Sequence, residues 1–178
     1  EPLFAPSANL STKPSPTEIE HVLEDLSGKI PLAIDAGPTS IGIESTVLDL
    51  SAEEPLILRP GFITKAMLEN ALKKTVGYAS FLSDKSPGNK YSHYAPKAAL
   101  SLIEEDGWKT ACPKTTLFLS YKTPFKPFFE AFSEKNLYSL FRKADKLGKK
   151  LVCIRLDRTL LKKYALMNRI EKASKSSG

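Results

Sequence analysis

Residues 77–98, GYASFLSDKSPGNKYSHYAPKA, carry no sustained hydrophobic period, whereas the sequence on either side does. A stretch of about twenty residues without regular structure is rare inside one compact domain, and is usually a functional loop or a link. The chain therefore reads as two α/β units, 1–78 and 98–178, joined by a linker at 79–97. Tyr91, His93 and Tyr94 set this linker apart from disordered ones, which are poor in aromatic residues.

The first unit opens on APSANLSTKPSPTE (5–18). Ser15, Pro16 and Glu18 form a capping box with proline at the first helical position. Ile19, Val22, Leu23 and Leu26 then recur at helical spacing up to a stop at Gly28. IPLAID (30–35) predicts a short apolar strand, ESTVLDL (44–50) alternates as a half-buried one, and PLILR (55–59) is a third. Thr64 caps a helix with Met67, Leu68, Ala71 and Leu72 on one face.

In the second unit ALSLIE (99–104), TTLFLSY (115–121) and LVCIRL (151–156) read as strands. NLYSLFRKADKLGKK (136–150) is an amphipathic helix with Leu137, Leu140, Phe141 and Ala144 inward and Gly148 as its stop. YALMNRIEKAS (164–174) closes as a helix. Strand, strand, helix, strand, helix predicts a small α/β layer on a partly parallel sheet.

Composition narrows the function classes. With 42% hydrophobic residues and no long apolar run, the 178 residues predict a soluble globular chain with no membrane partner, placed in the cytoplasm. EPLFAPSAN lacks the basic and apolar regions of a secretory leader. Cys112 and Cys153 stand outside any CxxC, which predicts two reduced, buried thiols rather than a zinc site. Net charge is +6, split as −3 over residues 1–97 and +9 over residues 98–178. The basic half leaves a weak RNA contact open, but its lysines are scattered without interleaved aromatics.

Four polar clusters lie in the first hundred residues. Ser7, Asn9, Ser11 and Ser15 offer short donors ahead of a helix start, a natural anion site. DAGPTSIGIESTVLD (35–49) turns at Gly37 and Gly42 and enters a strand on Glu44, Ser45 and Thr46. LRPG puts Arg59 at a strand end beside a turn, where its guanidinium can fork onto a phosphate. SPGNKYSHYAP (86–96) brackets His93 with tyrosines. Each cluster also has an ordinary structural reading as loop, cap or salt bridge. There is no Ser-His-Asp arrangement, P-loop or GxGxxG, so the residues alone stop at an α/β protein with an anion-binding loop.

In this order the clusters resemble the Sua/YrdC/YciO/YwlC family of L-threonylcarbamoyladenylate synthases in its long, two-domain form. The matching text is APSANLSTKPSPT, DAGPTSIGIESTVLD, ILRPGFIT and SPGNKYSHYAP, with LFRKADKLG (140–148) and ALMNRIEKA (165–173) near the end. The resemblance implies the C-terminal part of a YrdC-like twisted α/β sheet domain, a linker lying over the cleft as a lid, and a small Rossmann-like domain. It implies condensation of L-threonine, bicarbonate and ATP into threonylcarbamoyl-AMP and pyrophosphate, with Mg²⁺ on the phosphates. A transferase complex would then place the group on tRNA.

Carried over by position, the resemblance assigns Ser7, Asn9, Ser15, Arg59 and Tyr94 to ATP, and Ala5 and Ser45 to threonine; His93 joins Tyr94 in the lid. No residue is assigned a nucleophilic role, because a carbamate oxygen attacks the α-phosphorus and the protein's task is positioning. Two small departures stand out. The family usually has glycine at Thr12, and often at Ala36. A larger one is that the family's first half, with the lysine and arginine residues completing the phosphate site, has no counterpart in this text. The expectation is an N-terminally truncated synthase with little activity as an isolated chain. A non-catalytic nucleotide- or RNA-binding remnant is the alternative.

Overall fold

The computed structural model describes residues 5–79, 95–104 and 107–175. The first unit holds helix α1 (Ile19–Leu26), strands β1 (Val47–Asp49) and β2 (Leu56–Arg59), helix α2 (Lys65–Leu72) and strand β3 (Gly77–Tyr78). β1 pairs antiparallel with β2, and β3 pairs parallel with β2 on its other side. β3 lies in text that shows no period, because two residues of ladder are too short to leave one.

Two local expectations need correction. Ser15 does not cap α1: the helix begins three residues later, its N-cap position is Glu18, and no side chain caps it. The Thr17 N–H is taken instead by His21 Nδ1 at 3.2 Å, and the Ser15 hydroxyl has another partner. IPLAID forms no strand in the described fold, because no neighbouring strand completes its ladder; Leu32 and Ile34 stand 73% and 83% exposed. α2 is capped by Thr64, whose Oγ1 accepts from Met67 N at 3.3 Å, yet none of its residues is buried.

The second unit is a four-stranded sheet of β4 (Ala99–Ile103), β5 (Thr116–Tyr121), β6 (Phe129–Phe132) and β7 (Leu151–Arg155) in the order β4-β7-β5-β6, parallel throughout. Its helices are α3 (Leu137–Lys146), the short α4 (Arg158–Leu161) and α5 (Tyr164–Ser174). β5 is buried along its whole length, as expected of an inner parallel strand covered on both faces. One face carries the main core, where Leu137, Phe141, Leu166 and Ile170 pack on Leu119, Val152 and Ile154. The other is closed by Phe118, Phe129 and Cys153 under Trp108 and Phe125.

β6 has no clear sequence signal, because FKPFFEAF lacks alternation. The return from β5 to β6 is tight: Lys122 takes a left-handed φ of 62°, and the Ser120 hydroxyl donates to Thr123 O at 2.6 Å while accepting from Phe125 N at 3.0 Å. Gly148 ends α3 as its text implies. At φ 61° it lets Lys149 N reach Ala144 O at 2.9 Å and its own N–H reach Asp145 O at 3.0 Å.

The two units share their core. Ile43, from the first, is buried in the main cluster of the second. Gly42 beside it has no room for a side chain, since a Cβ would run into the backbone of Glu134 and Lys135. Both cysteines are free; Cys153 is buried, but Cys112 is exposed, against expectation, because it sits in a turn outside the sheet.

Candidate functional site

The loop 5–18 is held from behind. Asp25, with no exposed side-chain surface, accepts from Leu10 N at 3.3 Å, pairs with Lys13 Nζ at 2.7 Å, and takes both prongs of Arg142 from α3. Burial works against its charge, but the Arg142 and Lys13 hydrogen bonds outweigh it and hold its carboxyl far below the usual range. Arg142 also donates to Pro14 O at 2.6 Å, the carbonyl just before Ser15. Asn9 closes the loop from within, its Nδ2 donating to Leu10 O at 2.9 Å and Lys13 O at 3.2 Å. Thr12 takes φ 75°, the conformation that glycine adopts freely.

Glu44 joins the loop to the second unit. One carboxylate oxygen accepts from the Ser15 hydroxyl; the other accepts from Tyr138 OH at 3.0 Å and Arg169 Nε at 2.8 Å. Its pKa is lowered: burial opposes the charge, and the Arg169 guanidinium, with the Ser15 hydroxyl, more than offsets burial. Arg169, fully buried on α5, donates through NH1 to Pro60 O at 2.8 Å. Thr17 and Ser139 share a 2.8 Å hydrogen bond, and Ser139 donates to Glu18 at 3.0 Å. α3 thus lies across the loop and α1.

Next to this hub, Ser45 and Arg59 meet. Arg59 donates from Nε to Ser45 O at 3.1 Å and from NH2 to Ser45 Oγ at 3.2 Å. The bulge between Val47 and Leu48 and the glycine at 61 allow it: a Cβ at Gly61 would strike the Ser45–Thr46 peptide. Thr46 Oγ1 fixes the far side of the turn by donating to Ile63 O at 2.7 Å. Lys172 adds a cation one turn beyond Arg169. Burial, then Arg169 and Arg59, lowers its pKa. The result is an exposed hydroxyl–guanidinium pair with excess positive charge behind it, suited to binding an anion rather than donating a nucleophile.

Of the residues singled out in the sequence, Ser45 and Arg59 are in contact, and Ser15 reaches them through Glu44. Asn9 lies in the same loop, but its amide is spent on the loop's own carbonyls. Ser7 is exposed and makes no side-chain hydrogen bond among the described residues; Ala5 is exposed as well. Tyr94 and His93 lie outside the described residues. A cavity of about 850 Å³ opens between the two units, walled by Ile41, Ile57, Pro60, Met67, Tyr121 and Tyr164.

Asp25, Glu44, Arg142 and Arg169 were not singled out as site residues. A signal existed for the arginines: Arg142 follows Phe141 on the inner face of α3, and Arg169 sits among Leu166, Met167 and Ile170 on α5. A charge on an apolar face implies a buried partner. Among the described residues, no group of three or more His, Cys, Asp or Glu could hold a metal ion, and no helix is long and apolar enough to cross a membrane.

Comparison with known proteins gives consistent matches. Residues 1–61 match a family model covering Sua5, YciO and YrdC, described as telomere recombination, and residues 63–175 match the C-terminal domain of threonylcarbamoyl-AMP synthase. The chain is 52% identical over 108 residues to the threonylcarbamoyl-AMP synthase of Bacillus subtilis, covering 58% of this chain and 31% of that protein. With the enzyme of Pyrococcus abyssi it is 48% identical over 108 residues, covering 58% and 32%. The crystal structure of P. abyssi Sua5 complexed with L-threonine superposes with a TM-score of 0.76 at 31% identity, covering 97% of this chain and 57% of that one. These matches span about a third of the length of the curated relatives.

Proposed function

The chain belongs to the threonylcarbamoyl-AMP synthase family, and from that premise we propose that it supplies the Ser45–Arg59 side of a site that makes threonylcarbamoyl-AMP for tRNA modification. The observation that carries the reading is the contact of Arg59 NH2 with Ser45 Oγ at 3.2 Å. It places a fixed cation beside a small hydroxyl, as needed where a phosphate of ATP meets an amino-acid substrate. The L-threonine amine and bicarbonate would give the N-carboxylate with loss of water. One of its oxygens would then attack the α-phosphorus, with pyrophosphate leaving.

In that reading Ser45 orients threonine, Arg59 neutralises the triphosphate, Ser7, Ser15 and Tyr94 position it, and Asn9 shapes the loop that receives it through its bonds to Leu10 O and Lys13 O, while Ala5 offers backbone to threonine. None of them exchanges a covalent bond with the substrate, so positioning and charge stabilisation carry the rate. Glu44, the partly buried carboxylate that precedes Ser45, is already committed to Ser15, Tyr138 and Arg169. Mg²⁺ would then be held by the phosphates rather than by Glu44. The product would pass to a transferase complex acting on tRNA in the cytoplasm.

Calorimetric titration with L-threonine, and threonine- and bicarbonate-dependent release of pyrophosphate from ATP, test this reading. Ser45→Ala should weaken threonine binding and Arg59→Ala ATP binding, each by about tenfold to a hundredfold, the worth of one hydrogen bond to a charged group. Tight RNA binding with no response to threonine or ATP would reject it in favour of a non-catalytic module.

A further inference from the structure

The two C-terminal stretches LFRKADKLG and ALMNRIEKA lie in the second unit and include no residue assigned to a substrate. Each nevertheless sends one arginine into the first unit. Arg142 goes to Asp25 and Pro14 O; Arg169 goes to Glu44 and Pro60 O. Three of these four targets are immediate neighbours of residues assigned to a substrate. Pro14 precedes Ser15, Glu44 precedes Ser45, and Pro60 follows Arg59.

We propose that Arg169 is a positioning residue through which the C-terminal unit sets the geometry of the Ser45–Arg59 pair. The proposal rests on the reading of that pair as substrate-binding. An arginine serving stability alone needs one acid. Arg169 instead divides its fork between two chain segments, with Nε on the Glu44 carboxylate, NH1 on the Pro60 carbonyl and NH2 3.5 Å from the Glu44 carbonyl. The Glu44 carbonyl belongs to the peptide that carries Ser45. Since the other Glu44 oxygen holds Ser15, one guanidinium fixes three substrate residues through their neighbours. Arg169 is itself fully buried, as are Leu166 and Ile170 on the same helix. Nothing in this arrangement touches substrate, so its effect is on where Ser45 and Arg59 stand.

Arg169→Lys separates positioning from stability. A lysine keeps a cation for Glu44 but has no planar fork to bridge to Pro60. Four readouts are taken on the whole chain: the thermal midpoint, threonine affinity, ATP affinity, and the amide NMR signals of Ser45 and Arg59. Arg158→Lys on the exposed face of α4 is the control. The expected result is a folded Arg169→Lys chain with displaced Ser45 and Arg59 signals and threonine binding weakened about tenfold, within what a 1 Å misplacement can cost. Arg169→Gln should lose more, and the control should lose nothing. Unmoved amide signals, or threonine affinity equal to wild type in a folded Arg169→Lys chain, would overturn the proposal. A wild-type chain that binds neither substrate would instead contradict the reading of Ser45 and Arg59, and the amide signals would still decide the role of Arg169.

Discussion

Arg142 and Asp25, 117 positions apart in sequence, form a two-pronged ion pair, NH1 to Oδ1 at 3.2 Å and NH2 to Oδ2 at 2.8 Å, with side chains 7% and 0% exposed. It fastens α3 of the second unit to α1 and the 5–18 loop of the first. A buried pair of this kind costs much of its attraction in desolvation, so its removal as a unit and its rupture have different consequences.

Asp25→Ala should destabilise the chain by about 3 kcal/mol, because the buried Arg142 loses both carboxylate hydrogen bonds and keeps only the half-exposed Glu24, 3.8 Å away. Asp25→Ala combined with Arg142→Met should cost less than the two single changes together. Urea unfolding of the three variants and the parent, arranged as a double-mutant cycle, measures the coupling. Additive losses would show that the pair does not act as a unit.

Acid should weaken the fold in two stages. His21 is held below its usual pKa by burial and then by Arg142, so the unfolded state binds the proton more readily. Stability is present above about pH 6.5, the unfolded value, and declines below it. Asp25 and Glu44 are also lowered, so their contribution is present above the ordinary carboxylate range near pH 4 and lost as pH falls further. Denaturant midpoints from pH 8 to pH 3 should show both declines, and His21→Gln should remove only the first.

Thr12→Gly should stabilise the chain by about 1 kcal/mol, since a β-branched residue at φ 75° is strained and glycine is not. The gain is reduced by the extra freedom glycine has when unfolded. A lower thermal midpoint in the variant would count against strain at this position.

Cys112 should react with iodoacetamide in the native state much faster than Cys153. Cys112 is exposed, and the Lys114 and Thr115 backbone N–H groups lower its pKa, whereas burial raises that of Cys153. Mass spectrometry of briefly labelled protein should find one adduct, on Cys112; equal labelling would mean that the sheet opens readily.

What the sequence determined by itself is local or periodic. The period of Leu137, Leu140, Phe141 and Ala144 places α3, the positive φ of Gly148 ends it, and Thr64 caps α2, each through contacts within a few residues. The text also marked Ser45 and Arg59, because a hydroxyl at a strand entrance and an arginine at a strand end are recognisable types. Tertiary structure decided the rest. IPLAID has the composition of a strand, but a strand exists only when a neighbour takes its hydrogen bonds. Ser15 has the residue type of a cap, but the partly buried Glu44 carboxylate is the partner that claims its hydroxyl. The engagement of Glu44 by Arg169 joins residues 125 positions apart, and no pattern within either segment specifies it. Burial set that choice: a charge taken out of water must find its counter-charge wherever the fold brings one.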